Sequence, residues 1–156
     1  MLWRDGNQYY KRLRQKGIIP EEYPDLKYNA QLNNIVHSCI SIFRSRVKAV
    51  RLKLVYLYSM KRQHKQFNNL LGICSKFKTG GYTIGIAIEA LERGENYSIA
   101  VFLHELAHMI TSQGHTKEFY LKLNELIDQY NRETGKEIKA IGGRENAKDK
   151  YYNTRL

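Results

Sequence analysis

From Asn29 to Val50 the apolar positions Leu32, Ile35, Val36, Cys39, Phe43, Val47 and Val50 recur at steps of three and four. This is the period of an amphipathic helix, with Arg44, Arg46 and Lys48 on its solvent face. From Val50 the period changes to two. Val50, Leu52, Leu54, Tyr56 and Tyr58 alternate with Arg51, Lys53, Val55 and Leu57, and their β-branched and aromatic content favours a strand. Residues 59–69 are polar and basic and read as a loop or as a helical extension. Leu71–Phe77 gives a second strand, Thr79-Gly80-Gly81 a hairpin turn, and Tyr82–Ile88 a third strand. As an edge strand, 82–88 either accepts an extended peptide by β-addition or simply packs the helices.

Arg93-Gly94-Glu95-Asn96 breaks the chain, with Asn96 or Ser98 available as an N-cap. Ile99, Phe102, Leu103, Leu106, Ala107 and Ile110 form the stripe of a second long helix, which Gly114 is expected to end. Thr116 can cap a third helix, striped by Phe119, Leu123, Leu126, Ile127 and Tyr130 and closed by Gly135. Ahead of all this, residues 1–28 form an N-terminal arm with a short helix around 5–16, followed by Pro20 and Pro24, which force an extended or turning path. Residues 136–156 are polar, contain Gly142-Gly143, and read as a loosely held tail. The pattern predicts an α+β domain over 29–135: an N-terminal helix, a small antiparallel sheet of about three strands, then two helices.

Composition narrows the class. The chain has 156 residues, 42% of them hydrophobic and 26% charged, which suits one globular domain. No apolar run approaches the roughly 20 residues that span a bilayer, and the first residues hold no apolar core of a secretory signal. The expectation is a cytoplasmic or nuclear protein that is neither secreted nor bound to a membrane. Cys39 and Cys74 are too few and too far apart for a disulfide framework or a metal knuckle, so buried free thiols are expected.

Charge changes the picture more. The net charge is +11, and no acidic residue lies between Asp25 and Glu89. That window holds eleven of the 26 Lys and Arg residues, and the other fifteen balance the fifteen Asp and Glu. Such a stretch attracts polyanions, nucleic acid foremost. Candidate contacts are Arg44, Arg46, Lys48, Arg51, Lys53, Lys61, Arg62 and Lys65.

The chemistry is concentrated in His104-Glu105-Leu106-Ala107-His108. Histidines four apart on a helix stand on one face, one turn apart, and can share one Zn²⁺. Glu105, between them, is placed to act as general base on a water and then to protonate a leaving amine. A catalytic zinc needs a third protein ligand. His115, seven residues on and preceded by Gly114, is the preferred candidate, while Glu125 and Asp128 on the next helix are the alternatives. His37 and His64 lie elsewhere and are expected to be non-ligands.

The stretch Leu103-His104-Glu105-Leu106-Ala107-His108, Gly114-His115-Thr116-Lys117-Glu118-Phe119-Tyr120 and Leu123 through Glu125-Leu126 resembles the WLM and SprT-like metallopeptidases. The preceding Leu71-Gly72, Gly81 and Ile84 are similar to their hairpin, so the likeness runs from about residue 70 to 130. It implies a minimal zincin fold, zinc on His104, His108 and His115, Glu105 as catalytic acid/base and Phe119 packed behind the site. It also implies proteolysis of proteins attached to DNA. The gap from His108 to His115 is one residue longer than the usual WLM spacing and shorter than in many SprT-like members. With no zinc-ribbon cysteines or ubiquitin-like domain, the expectation is a pared-down viral, phage or mobile-element relative. Two other functions stay open: a zinc peptidase of protein processing or maturation with no nucleic-acid role, and a non-catalytic zinc-binding structural protein.

Overall fold

The computed structural model describes residues 7–141. The helix expected near 5–16 is α1, Asn7–Gln15. The long amphipathic helix is α2, Leu26–Ala49, bent at Phe43, with Leu32, Ile35, Val36, Cys39, Phe43 and Val47 all buried. Arg51, with φ of 59°, turns the chain out of α2 and into β1, Leu52–Tyr58. A 3₁₀ turn at Met60–Arg62 lies within the expected loop. Strands β2, Gly72–Lys76, and β3, Tyr82–Ala87, form the expected hairpin. Its turn needs backbone that glycine adopts without strain, and Gly80 and Gly81 take φ of 91° and 92°. A short helix α3, Ile88–Glu92, follows directly, so Ile88 opens a helix and does not end a strand. Then come α4, Glu95–Thr111, and α5, Lys117–Thr134.

The α+β arrangement is present, with two corrections to the sheet. Its order is β1-β3-β2, and β1 runs parallel to β3 while only β2 and β3 are antiparallel. The sheet is mixed because the chain crosses from β1 through residues 59–71 to the far side before the hairpin returns between them. Strand β3 is therefore central, hydrogen-bonded on both sides, and cannot take up a further strand. The sheet edges are β1 and β2. At the β1 edge Glu21 N–H donates to the Leu57 carbonyl at 2.7 Å.

Helix α4 is the spine. Every residue from Ser98 to Met109 is buried, because α2 and α3, strands β2 and β3, and α5 all pack on it. A helix enclosed on all sides buries polar residues only for a reason, and here it buries His104, Glu105 and His108. It begins after Gly94, whose φ of 113° makes the turn from α3. Neither Asn96 nor Ser98 is the N-cap. The Ser98 hydroxyl instead donates toward the carbonyls of Ala90 and Gly94, at 3.0 and 2.9 Å, and ties α3 to α4.

Both flanks of the chain join this core. Leu13 and Ile18 are fully buried in it, and Gln63 brackets Ile19 by accepting its N–H at 2.9 Å and donating to its carbonyl at 2.7 Å. After the cap at Gly135, Ile138 is buried, and Asn131 bonds both its N–H and its carbonyl, at 2.8 and 3.0 Å. Up to residue 141 the tail thus has an apolar anchor, and Gly142-Gly143 lies outside the described residues. Cys39 and Cys74 are both buried and form no disulfide, and burial pushes the Cys39 thiol well above its ordinary pKa. Among the described residues no helix is long and apolar enough to cross a membrane.

Candidate metal centre

His104 and His108 stand one turn apart on α4, with ring centroids 4.9 Å apart. The helix stops at Ser112, not at Gly114. Ser112 takes a left-handed conformation, φ 53°, and its N–H donates to the His108 carbonyl at 2.9 Å. This reversal swings residues 113–116 back over the last turn and returns His115 to the site. The Nε2 atoms of His104 and His115 come to 3.0 Å. Ligand atoms around a tetrahedral zinc, each bonded at about 2.0–2.1 Å, lie about 3.3 Å apart. One ring nitrogen from each of His104, His108 and His115 lies within 4.8 Å of the others, and among the described residues this is the one group of three or more potential metal ligands.

Local bonding fixes these rings. His108 Nδ1 is 2.7 Å from the Gln113 carbonyl, which can only accept, so Nδ1 carries the proton and Nε2 the lone pair. The Gln113 amide then ties down the rest of the loop. Its Nε2 donates to Glu118 at 2.6 Å and its Oε1 accepts from the Thr116 hydroxyl. Thr116 Oγ1 in turn accepts the Phe119 N–H at 3.2 Å and caps α5, as the sequence predicts. Phe119 lies against all three imidazoles, 4.9 Å from His104, 5.2 Å from His115 and stacked at 4.2 Å on His108. A buried, apolar floor of this kind holds the rings in place and lowers the local dielectric.

Glu105 points to another side of α4, toward the sheet. A Cβ added at Gly72 would come within 2.9 Å of Glu105 Oε2 and 2.8 Å of Val101 Cγ1. Gly72 therefore lets β2 lie directly on the carboxylate. Periodicity places Gly72 only in a strand, although a glycine inside an apolar strand signals a close approach. Gln113 escapes sequence reasoning altogether because its main contribution is a backbone carbonyl, which no residue type announces. At the rim, the half-exposed Tyr120 stacks on His115, with ring centroids 6.0 Å apart.

The alternatives for a third ligand lie elsewhere. Glu125 pairs with Arg46 at 2.6 Å and Lys122 at 3.0 Å, and these bonds, Lys122 first, hold its carboxyl below the usual value. Asp128 is exposed and outside the histidine group, as are His37 and His64.

The basic candidates do not form one face. Arg46 is engaged by Glu125, and Arg62 by both oxygens of Glu21 at 3.1 and 3.0 Å. Arg44 and Lys48 are exposed on α2, and Lys61 and Lys65 on the loop after β1. Arg51 and Lys53 reach the hairpin turn, where Cβ atoms added at Gly80 and Gly81 would lie 3.0 Å from Arg51 Nη1 and 3.1 Å from Lys53 Cε.

The donor set suits zinc: three imidazoles converge, and the residue that follows the first of them on α4 is a buried carboxylate. No protein-family model and no curated protein matches this chain, so the likeness to WLM and SprT-like peptidases rests on the residues themselves.

Proposed function

We propose that this protein is a zinc-dependent endopeptidase. The observation that carries the reading is the convergence of His104, His108 and His115, with Glu105 buried on the same helix. The three histidines would hold the ion through ring nitrogens, and the Gln113 carbonyl orients one of them. Zinc held there supplies Lewis acidity, which acidifies water and polarises a carbonyl. Glu105 takes the proton of the attacking water on a carboxylate oxygen and delivers it to the departing amine. Phe119, packed on all three imidazoles, shields that side of them from bulk water.

The substrate is a protein, and we infer that it is one associated with DNA. Support for this second half is the acid-free window of eleven cations between Asp25 and Glu89. A cytoplasmic or nuclear setting fits both halves. The test is proteolysis of a DNA-binding protein by the zinc-loaded chain, with and without DNA, for wild type and Glu105→Gln. Cleavage by wild type alone, faster with DNA, is the expected result. Equal cleavage by Glu105→Gln overturns the mechanism. Cleavage indifferent to DNA favours a processing enzyme, and full zinc content with no cleavage favours a structural zinc protein.

A further inference from the structure

The charge run alone does not locate the cations that gather at the β2–β3 turn, because two of them precede it. Helix α1, which lies outside the acid-free window, packs beside the β2–β3 turn. An open cleft there is lined by Arg12, Gln15, Lys16, Lys78 and Thr79. Three of these five residues are cationic, the other two are neutral hydrogen-bonding groups, and none is acidic. Arg12 lies on α1 and Lys16 in the turn that follows it, while Arg14 is the residue paired with Glu22 at 2.9 Å. Arg12 is held by the ring of Phe77, its guanidinium carbon 5.5 Å from the centroid, and Tyr9 braces the same ring at 5.3 Å. Arg51, just ahead of β1, and Lys53 on it come to the turn against Gly80 and Gly81. Three separated segments thus bring five cations to one end of the sheet.

That end is also where the metal helix stops. Lys76 lies over the Tyr82 ring at 5.8 Å, and the Tyr82 hydroxyl is 3.4 Å from that of Ser112, the residue that ends α4. A polyanion held at the turn would pass the same end of the molecule as His108 and His115.

We propose that this cleft, and not the basic side of α2, is the nucleic-acid site, and that it grips the phosphate backbone without reading bases. A concave, acid-free groove with cations from several segments follows a chain of phosphates better than a convex helix does. Of the cations on α2, Arg46 is already committed to Glu125. The inference deepens the DNA half of the proposed function, but it concerns binding alone.

The experiment measures binding of the full zinc-loaded chain to a fluorescent duplex of about 20 base pairs, between about 50 and 200 mM salt. Arg12→Gln/Lys16→Gln/Lys78→Gln is expected to weaken binding at least about tenfold. It should also flatten the salt dependence by about 0.9 in log–log slope for each phosphate that is no longer neutralised. Lys78→Gln alone should produce about one third of that change in slope, and serves if the triple variant misfolds. Arg44→Gln/Lys48→Gln should change affinity by less than about threefold. Unchanged affinity and slope in the triple variant, or the larger loss in the α2 variant, overturns the proposal. So does wild-type preference for phosphatidylserine vesicles over the duplex at matched salt. Because no cleavage is read, failure of the peptidase reading leaves the cleft standing, and failure of the cleft leaves the peptidase standing.

Discussion

His108 Nδ1 meets the carbonyl of Gln113 at 2.7 Å, five residues further along the chain. The bond closes the turn that Ser112 opens, and it decides which nitrogen of His108 is left to bind. The same Gln113 side chain spans to Thr116 and Glu118, just beyond His115, and so fastens the loop that carries it. One residue therefore sets the geometry of two candidate ligands, once through its backbone and once through its amide.

Gln113→Ala leaves the carbonyl but cuts both amide bonds. Zinc affinity should fall by about 10-fold to 100-fold, the size of effect seen when outer partners of a metal site are removed. Competition against a chromophoric chelator measures it. Unchanged affinity would mean that the loop is held by packing on Phe119 alone.

The third ligand is settled by a pair of variants. His115→Ala should lower zinc affinity by more than the Gln113 variant does, since a four-coordinate site loses a donor. Glu125→Ala should keep one zinc per chain. Metal analysis after dialysis against a weak chelator gives the ratio directly, and zinc lost from Glu125→Ala but kept by His115→Ala would reverse the assignment.

Much of the fold is written in local periodicity, and the misses share one cause. The stripes on α2 and α5 fixed those helices to within a few residues, and Thr116 and Gly135 marked the ends of α5, because caps and stripes are properties of neighbours in sequence. Strand order is not such a property. Nothing in Val50–Tyr58 or Tyr82–Ile88 says that β3 enters between β1 and β2, so the edge-strand expectation failed. Gly114 drew the helix end to itself on residue type, whereas the left-handed position falls on Ser112, a residue that pays a conformational cost for it. At the site, the histidines were legible and what orients them was not. The charge window was legible too, but pairing with Glu21 and Glu125 removed Arg62 and Arg46, and α1 with the turn after it added Arg12 and Lys16 from outside it.

Glu125 also gives a pH test. Its carboxyl is held low by Lys122 and then Arg46, so the pairing stabilises the fold above its ordinary value of 4.5 and loses this effect as pH falls through the lowered folded value. The pair is exposed, so Glu125→Gln should cost less than about 1 kcal/mol at neutral pH. Urea titrations should show the two proteins converging in strong acid. A gap that persists there would assign the effect to packing.

Gly72 offers the sharpest separation of fold, metal and chemistry. Gly72→Ala puts a methyl group 2.8 Å from Val101 Cγ1 and 2.9 Å from Glu105 Oε2, and both partners are buried. Val101 is a short branched side chain in a closed helix and has little room to yield, so the carboxylate is displaced. Overpacking of this size costs about 1–3 kcal/mol, partly offset by the smaller entropy of alanine in the unfolded chain. The histidines are untouched, so zinc content should match wild type. Turnover should fall by about 100-fold, the usual penalty for misplacing a reacting group by about an ångström. The urea midpoint, zinc content and kcat/KM on an unfolded protein substrate are measured on one preparation. A loss of stability with kcat/KM unchanged would show that Glu105 does not depend on Gly72 for its position, and loss of zinc together with activity would place the damage at the imidazoles.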